Sequence, residues 1–289
     1  PHFTLDLENQ FRERVVGEFV KGYGEGRTPN PCVLCNGEVR IAAMVDLADR
    51  LGATHLVTGH YARIVEDEDG ALLAAGEDSS KDQSYMLAAL PTDVIGRLSF
   101  PLAEITKTEV RRIAEENSLA VAKKPESQDL CFLAGQDKRD FLRRHGGLGE
   151  RGGAVIDSAG NELGTHAGHH NFTVGQRRGL GVAAGHPLFV IGTDAASNTV
   201  TVGDRDALSV NRVSVRNAVM HRDGSRVDRV RLRYHSETVP AKVTATPGKH
   251  PALEVELDRP FDRPAPGQAA VLMSGDTVVG HATITRSSK

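Results

Sequence analysis

Nowhere in these 289 residues is there an apolar run of the ~18 residues that a membrane-spanning helix needs, and no charged-then-apolar leader occurs. Neither membrane insertion nor secretion is indicated, and the cytoplasm is the expected compartment. Cysteine is scarce: three residues, an odd number, fit a reducing compartment and argue against a disulfide framework, so each thiol needs its own explanation. Positive charge is not in excess, with Lys+Arg 35 against Asp+Glu 38 and a net charge of −3. Any contact with nucleic acid must then come from local patches. There is no internal repeat and no long disordered tract. The chain also opens without a methionine, and "PHFTLDLENQFRERVVGEFVKGY" reads as the middle of a fold, as a fragment would.

What is present is ample for a core: 39% hydrophobic residues over this length imply two or three domains. The first half alternates helix and strand signals. Ile41, Met44, Val45, Ala48 and Leu51 recur at helical spacing, with Asn36 as the expected N-cap and Gly52 as the stop. "THLVTGHYA" reads as a short buried strand, a second helix is expected from Ser80 to Pro91, and a third starts at the capping box of Thr106 and Glu109. From about Gly146 the helices give way to short alternating strands around turn-rich centres, "AVIDSAGNEL" and "FVIGTDAASNTVTVG". From about residue 207, "RVRLRYH", "PAKVTAT", "ALEVELD" and "QAAVLMSGDTVVGHATIT" read as strands of a small barrel. The expected fold class is α/β followed by all-β: a partial open parallel sheet over 1–145, a small central β domain over 146–206 and a C-terminal β barrel over 207–289. "EDEDG" at 66–70 reads as a solvated hairpin tip.

Several segments carry side chains that do chemistry. Gly59 and His60 end a strand where open α/β sheets bind ligands, and a glycine there lets a base or phosphate approach the backbone; a plain turn is the alternative. "KDQSYML" places Lys81, Asp82 and Gln83 in an opening helical turn, which suits phosphate or ribose as well as an ordinary capped helix. Cys32 and Cys35 precede a helix, whose free N–H groups and dipole favour a thiolate, and Pro29 and Pro31 stiffen the approach. Zinc is the competing reading of this pair, but it normally takes four ligands and no second Cys-x-x-Cys exists. Cys131 is flanked by Leu130 and Phe132, as a buried small hydrophobe would be; if the fold brings it to Cys35, two thiols support sulfur transfer and three could hold a cluster. In the β-rich half, "HHNFTVGQRRGLG" (169–181) suits a loop laid against a nucleic-acid backbone, or a plain glycine-rich connector. Strand alternation in 229–235 puts Arg231, Arg233 and His235 on one face as a basic stripe.

In order along the chain, "GRTPNPCVLCN", "LVTGHYAR", "KDQSYML", "FPLAEITKTEVRRIA", "ESQDLCF", "FTVGQRRGLG", "RLRYH" and "PGQAAVL" resemble the bacterial tRNA-specific 2-thiouridylase family almost end to end. The resemblance implies an enzyme that uses ATP, with magnesium, to replace the C2 oxygen of the wobble uridine in tRNA by sulfur. It also implies a nucleotide-binding α/β domain, a central β domain and a C-terminal barrel. By the same carry-over Cys131 holds a persulfide received from a sulfur-donor protein, and Cys35 is the partner thiol that releases the sulfur through a transient disulfide. Gly59 would approach ATP. Asn30, Pro31 and Cys32 would line the target base, and His60, Lys81, Asp82, Gln83, Arg233, Tyr234 and Gln268 would contact tRNA.

Two departures from the family pattern matter. Many relatives carry aspartate where this chain has Cys32, so an iron–sulfur cluster on Cys32, Cys35 and Cys131 is an alternative to the persulfide route. The glycine- and serine-rich loop that holds the ATP pyrophosphate does not occur in the 289 residues. It is expected upstream of Pro1; otherwise this polypeptide would not adenylate by itself. Two further readings remain, a non-catalytic tRNA-binding remnant and a metal-dependent sulfur carrier without RNA.

Overall fold

The structure, a computed structural model, describes residues 2–124 and 129–288. Residues 126–128 of the "ESQDLCF" motif lie outside the described residues.

The α/β part begins with α1 (Glu8–Phe11), a π-helical stretch Arg12–Val16, and α2 (Gly17–Gly24). After the strap Glu25–Asn30 comes one continuous helical run: α3 (Pro31–Leu34), a π-helical stretch Cys35–Arg40 and α4 (Ile41–Arg50). Asn30, not Asn36, caps it, its Oδ1 accepting from the N–H groups of Cys32 and Val33 at 3.2 Å each, with Pro31 in the first turn. Proline fits there because its missing N–H would go unused. The run ends where expected: Gly52 follows Leu51 with φ +71.

The expected strand in "THLVTGHYA" shrinks to β1 (Leu56–Val57), with Val57 60% exposed, so it is not buried. The hairpin of β2 (Ala62–Asp67) and β3 (Gly70–Ala75) follows. The helix expected over 80–91 is only α5 (Ser84–Leu87), and beyond Pro91 a separate turn, α6 (Thr92–Ile95), begins. The Asp82 carboxylate accepts from the Ser84 N–H at 3.0 Å and starts α5 late. Next, β4 (Leu98–Ser99) pairs parallel with β1, the open parallel sheet in its partial form. The helix α7 (Lys107–Glu116) starts as its capping signal predicts, with Thr106 Oγ1 accepting from the Glu109 N–H at 3.3 Å. The last helix, α8 (Lys138–Gly146), is capped by Asp137 and stopped by Gly147 at φ +62.

The central sheet comprises β5 (Gly153–Ile156), β6 (Glu162–His166), β7 (Phe189–Asp194) and β8 (Thr199–Gly203), in the order β6-β5-β8-β7. Val155, Val190, Val200 and Val202 pack with Phe172 and Leu180 as its own core. The C-terminal part holds β9 (Ser209–Met220), β10 (Arg229–Arg231), β11 (Val239–Lys242), β12 (Gly248–Asp262), β13 (Ala269–Ser274) and β14 (Thr277–Ser288). These run β13-β10-β11-β12-β9-β14, and β14 pairs back with β13 to close a six-stranded antiparallel barrel. Closure leaves no free edge within the ring. The β2–β3 hairpin extends the same sheet through Thr277 and Ala74, so Leu73, Tyr85 and Leu87 share a core with Val271 and Met273. Its tip is not merely solvated: Asp67 accepts from Arg222 and Arg226, locking hairpin to barrel. Among the described residues no helix is long and apolar enough to cross a membrane.

Candidate active site

The strap before α3 is clamped from two sides. Thr28 donates its N–H to the Pro266 carbonyl at 2.7 Å, and the Gln268 amide donates to the Thr28 carbonyl at 2.7 Å. Gly267 between them has φ +93, and a Cβ there would come within 3.1 Å of the Thr28 backbone, so only glycine fits. From the central domain, Thr28 Oγ1 meets Thr173 Oγ1 at 3.3 Å. Pro29 lies so close to α2 that a Cβ on Gly22 would stand 2.2 Å from its ring. All three parts of the chain therefore fix the approach to Asn30 and the cysteines.

Asn30 is held in turn by Tyr85, whose hydroxyl faces the Asn30 side chain and donates to the Ala269 carbonyl at 3.0 Å. Cys32 lies in the first turn of α3 and Cys35 a turn further, both half-buried. The helix-dipole expectation for their acidity is overturned. Burial pushes the Cys32 thiol up to about 11, with Cys131 and Cys35 adding and Arg40 opposing. Burial also raises Cys35, against the pull of Arg40. Desolvation disfavours the thiolate more than the single turn before Cys35 favours it.

Cys131 is exposed, not a buried hydrophobe, and its charge acts on both Cys32 and Cys35. The fold thus places Cys131 within electrostatic reach of the pair. Its neighbour Phe132 anchors the loop in an aromatic cluster, with ring centroids 5.1 Å from both Phe19 and Phe141 and 5.8 Å from Phe11. All three thiols are free. Among the described residues no group of three or more His, Cys, Asp or Glu is arranged to hold a metal ion. The three cysteines therefore do not present the ligand geometry of an iron–sulfur cluster, and Cys32 and Cys35 do not present that of zinc.

His60 follows Gly59 at the end of β1. Its Nε2 accepts from the Arg40 guanidinium at 3.0 Å, so the ring proton sits on Nδ1 and is donated to Thr58 Oγ1 at 2.7 Å. Burial, then Arg40, hold it down to about 4, so it is neutral at physiological pH. Gly59 has open space beside its backbone, a Cβ meeting only Leu102 at 3.8 Å, which suits the rim of a nucleotide site.

Lys81 is half-buried, and Gln83 Oε1 accepts from the Tyr61 N–H at 3.0 Å. Asp82 is turned inward, 4% exposed, and ion-pairs with Arg231. Arg233 donates to the carbonyls of Asp262 and Arg263 at 3.1 and 2.8 Å. The strand β10 ends at Arg231 and the chain turns at His235, φ +60, so the expected basic stripe is not an exposed strand face. In the glycine-rich segment 169–181 the exposed basic side chains are Arg177 and Arg178. Tyr234 is half-buried, and burial, with Asp82 and Cys32 adding, raises its hydroxyl. Sequence reading missed Arg40 and Tyr85 and took Asn36 for a cap. Asn36 is 5% exposed, donates to the Met86 carbonyl at 3.0 Å and accepts from Arg40 at 2.6 Å. The i,i+4 spacing of Asn36 and Arg40 was the available signal.

Family models match the chain in three blocks: a tRNA methyl transferase HUP domain over 1–135, a tRNA methyl transferase PRC-barrel domain over 139–204, and an aminomethyltransferase beta-barrel domain over 206–284. A bifunctional protein NifU/MnmA of Rubrobacter xylanophilus is 47% identical over 99% of this chain and 57% of its own length. The tRNA-specific 2-thiouridylase MnmA of Syntrophotalea carbinolica is 41% identical, over 97% of this chain and 80% of its own length. That of Sorangium cellulosum is 42% identical, over 97% and 74%.

Proposed function

Because the chain belongs to the tRNA-specific 2-thiouridylase family, we propose that it carries the sulfur-transfer site of an enzyme converting the wobble uridine of tRNA to 2-thiouridine. What supports this reading is that exposed Cys131 lies within electrostatic reach of half-buried Cys35, beside a capped, three-sided strap.

An amide-like carbonyl oxygen is a poor leaving group, and ATP, with magnesium, supplies the adenylate that lets it depart. Of the residues present, Gly59 fits the rim of that site. Cys131 receives a sulfur from a donor protein and holds it as a persulfide. The Cys35 thiolate attacks the Cys131 sulfur: the Cys35–Cys131 bond forms, the sulfur–sulfur bond of the persulfide breaks, and hydrosulfide leaves with the electron pair. Hydrosulfide then attacks C2 of the uridine, the activated oxygen departs, and an external thiol reduces the disulfide. Asn30, Pro31 and Cys32 face the target base. His60, Lys81, Gln83, Tyr234 and the exposed arginines of the 177–178 loop surround the tRNA. Asp82, Arg233 and Gln268 act on tRNA through the shape they hold.

The domain limits 1–145, 146–206 and 207–289 are supported by the order of the three matching models. A relative that joins two functions in one chain supports a protein partner as sulfur donor, and the cytoplasm is the compartment where tRNA and reduced thiols meet. In the protein at its native length, Cys131→Ser abolishes 2-thiouridine formation while tRNA binding persists. Thiolation that survives this substitution overturns the assignment.

A further inference from the structure

Arg40 forms no ion pair with a carboxylate among the described residues. Its guanidinium is held instead by two neutral groups, the Asn36 side-chain oxygen at 2.6 Å and the His60 Nε2 at 3.0 Å. Asn36 is fixed by the Met86 carbonyl and His60 by Thr58, so the positive charge is positioned without being neutralised. A carboxylate in either place would cancel it.

The backbone explains where that charge points. In a regular α-helix, residues five apart lie about 140° round the axis from each other, so position 40 would face away from position 35. The stretch Cys35–Arg40 is π-helical, and the wider turn carries residue i+5 back over residue i. Arg40 thus stands one π-turn beyond Cys35, its guanidinium bound to the Asn36 side chain next in sequence to that cysteine, and its charge opposes the rise of the Cys35 thiol. The other ionisable groups that face this place are Cys32 on the same helix, Cys131 from the opposite loop and neutral His60.

We propose that Arg40 is a positioning residue of the sulfur-transfer site: the π-helical turn lays its uncompensated charge over Cys35, where Asn36 and His60 hold it to stabilise the thiolate that attacks the Cys131 sulfur. The inference rests on the sulfur-transfer reading for its purpose, but not for its test. Burial disfavours the Cys35 thiolate, and Arg40 is the charged group that opposes this.

The experiment measures alkylation of Cys35 by iodoacetamide against pH in a Cys32→Ser, Cys131→Ser background, with no tRNA or ATP. Arg40→Gln moves the midpoint upward and slows alkylation at pH 7 by about tenfold for each unit of that movement, as the thiolate fraction falls. Arg40→Lys restores most of the rate, and matching circular dichroism and melting show that the folds are equal. An unchanged midpoint in Arg40→Gln, or equal loss in Arg40→Lys, overturns the proposal. Failure of Cys131→Ser to stop thiolation would overturn the sulfur-transfer reading instead, and would leave this alkylation result standing.

Discussion

The Gln268 side chain reaches the Thr28 carbonyl at 2.7 Å across 240 positions of sequence, so a barrel residue sets the backbone on which Asn30 caps the cysteine helix. Its amide nitrogen is committed to that carbonyl, and its effect on tRNA passes through the strap. Gln268→Ala leaves the Thr28 carbonyl without this donor and costs about 1–2 kcal/mol, the range for a partly buried hydrogen bond. Urea unfolding should show that loss. Thiolation by the native-length protein should fall through kcat while affinity for tRNA changes little. A variant that loses tRNA affinity with kcat intact would instead place Gln268 in direct contact with RNA.

Asp82 and Arg231 form an ion pair whose side chains are 3% and 18% exposed. Both were read from sequence as polar groups near RNA, yet they pair with each other inside the joint between α5 and the barrel, Arg231 through Nη1 while its buried Nε has no hydrogen-bond partner. Asp82 also accepts from Ser84 Oγ at 2.9 Å, so its oxygens are spoken for. Removing one partner strands a buried charge, and Asp82→Ala should destabilise by about 3–5 kcal/mol. The double variant Asp82→Ala, Arg231→Met should recover most of it. Equal loss in single and double variants, measured by urea unfolding, would show that the pair contributes through packing alone.

How much of this was legible in the residues follows from the range of the interaction. The Thr106 cap of α7 spans three residues and was readable, as were the barrel strands, whose alternation is local. The choice between Asn30 and Asn36 as cap was not settled by apolar spacing, because both precede apolar positions; Pro31 in the first turn was the deciding signal. The pair Asp82–Arg231 joins residues 149 apart, and no periodicity reports such a contact. Strand alternation through 229–235 ran past Arg231 because Leu232, beyond the strand, is also fully buried. Cysteine acidity failed for a different reason: the helix terminus is visible in sequence, but the burial that outweighs it belongs to the assembled fold.

Burial also governs the response to acid. His60, His221 and His281 are each held down to about 4, burial being the largest cause, with Arg40 adding at His60, Arg222 at His221 and His221 at His281. In the unfolded chain these rings titrate near the ordinary value of 6.5. Between about 6.5 and 4 the unfolded state therefore binds more protons than the folded one, and stability falls as pH falls. Asp67 adds a lower window: Arg222 and Arg226 hold its carboxyl well below 3.8, so its contribution is present above that value and is lost as pH drops through and beneath it. Urea midpoints taken from pH 7 to pH 3 should decline throughout. His221→Gln should flatten the upper part of the curve and Asp67→Asn the lower. A wild-type midpoint that stays level from pH 6.5 to pH 4 would mean that these rings take up protons in the folded state as readily as in the unfolded one, and that burial and Arg40 do not hold the His60 ring neutral through that range.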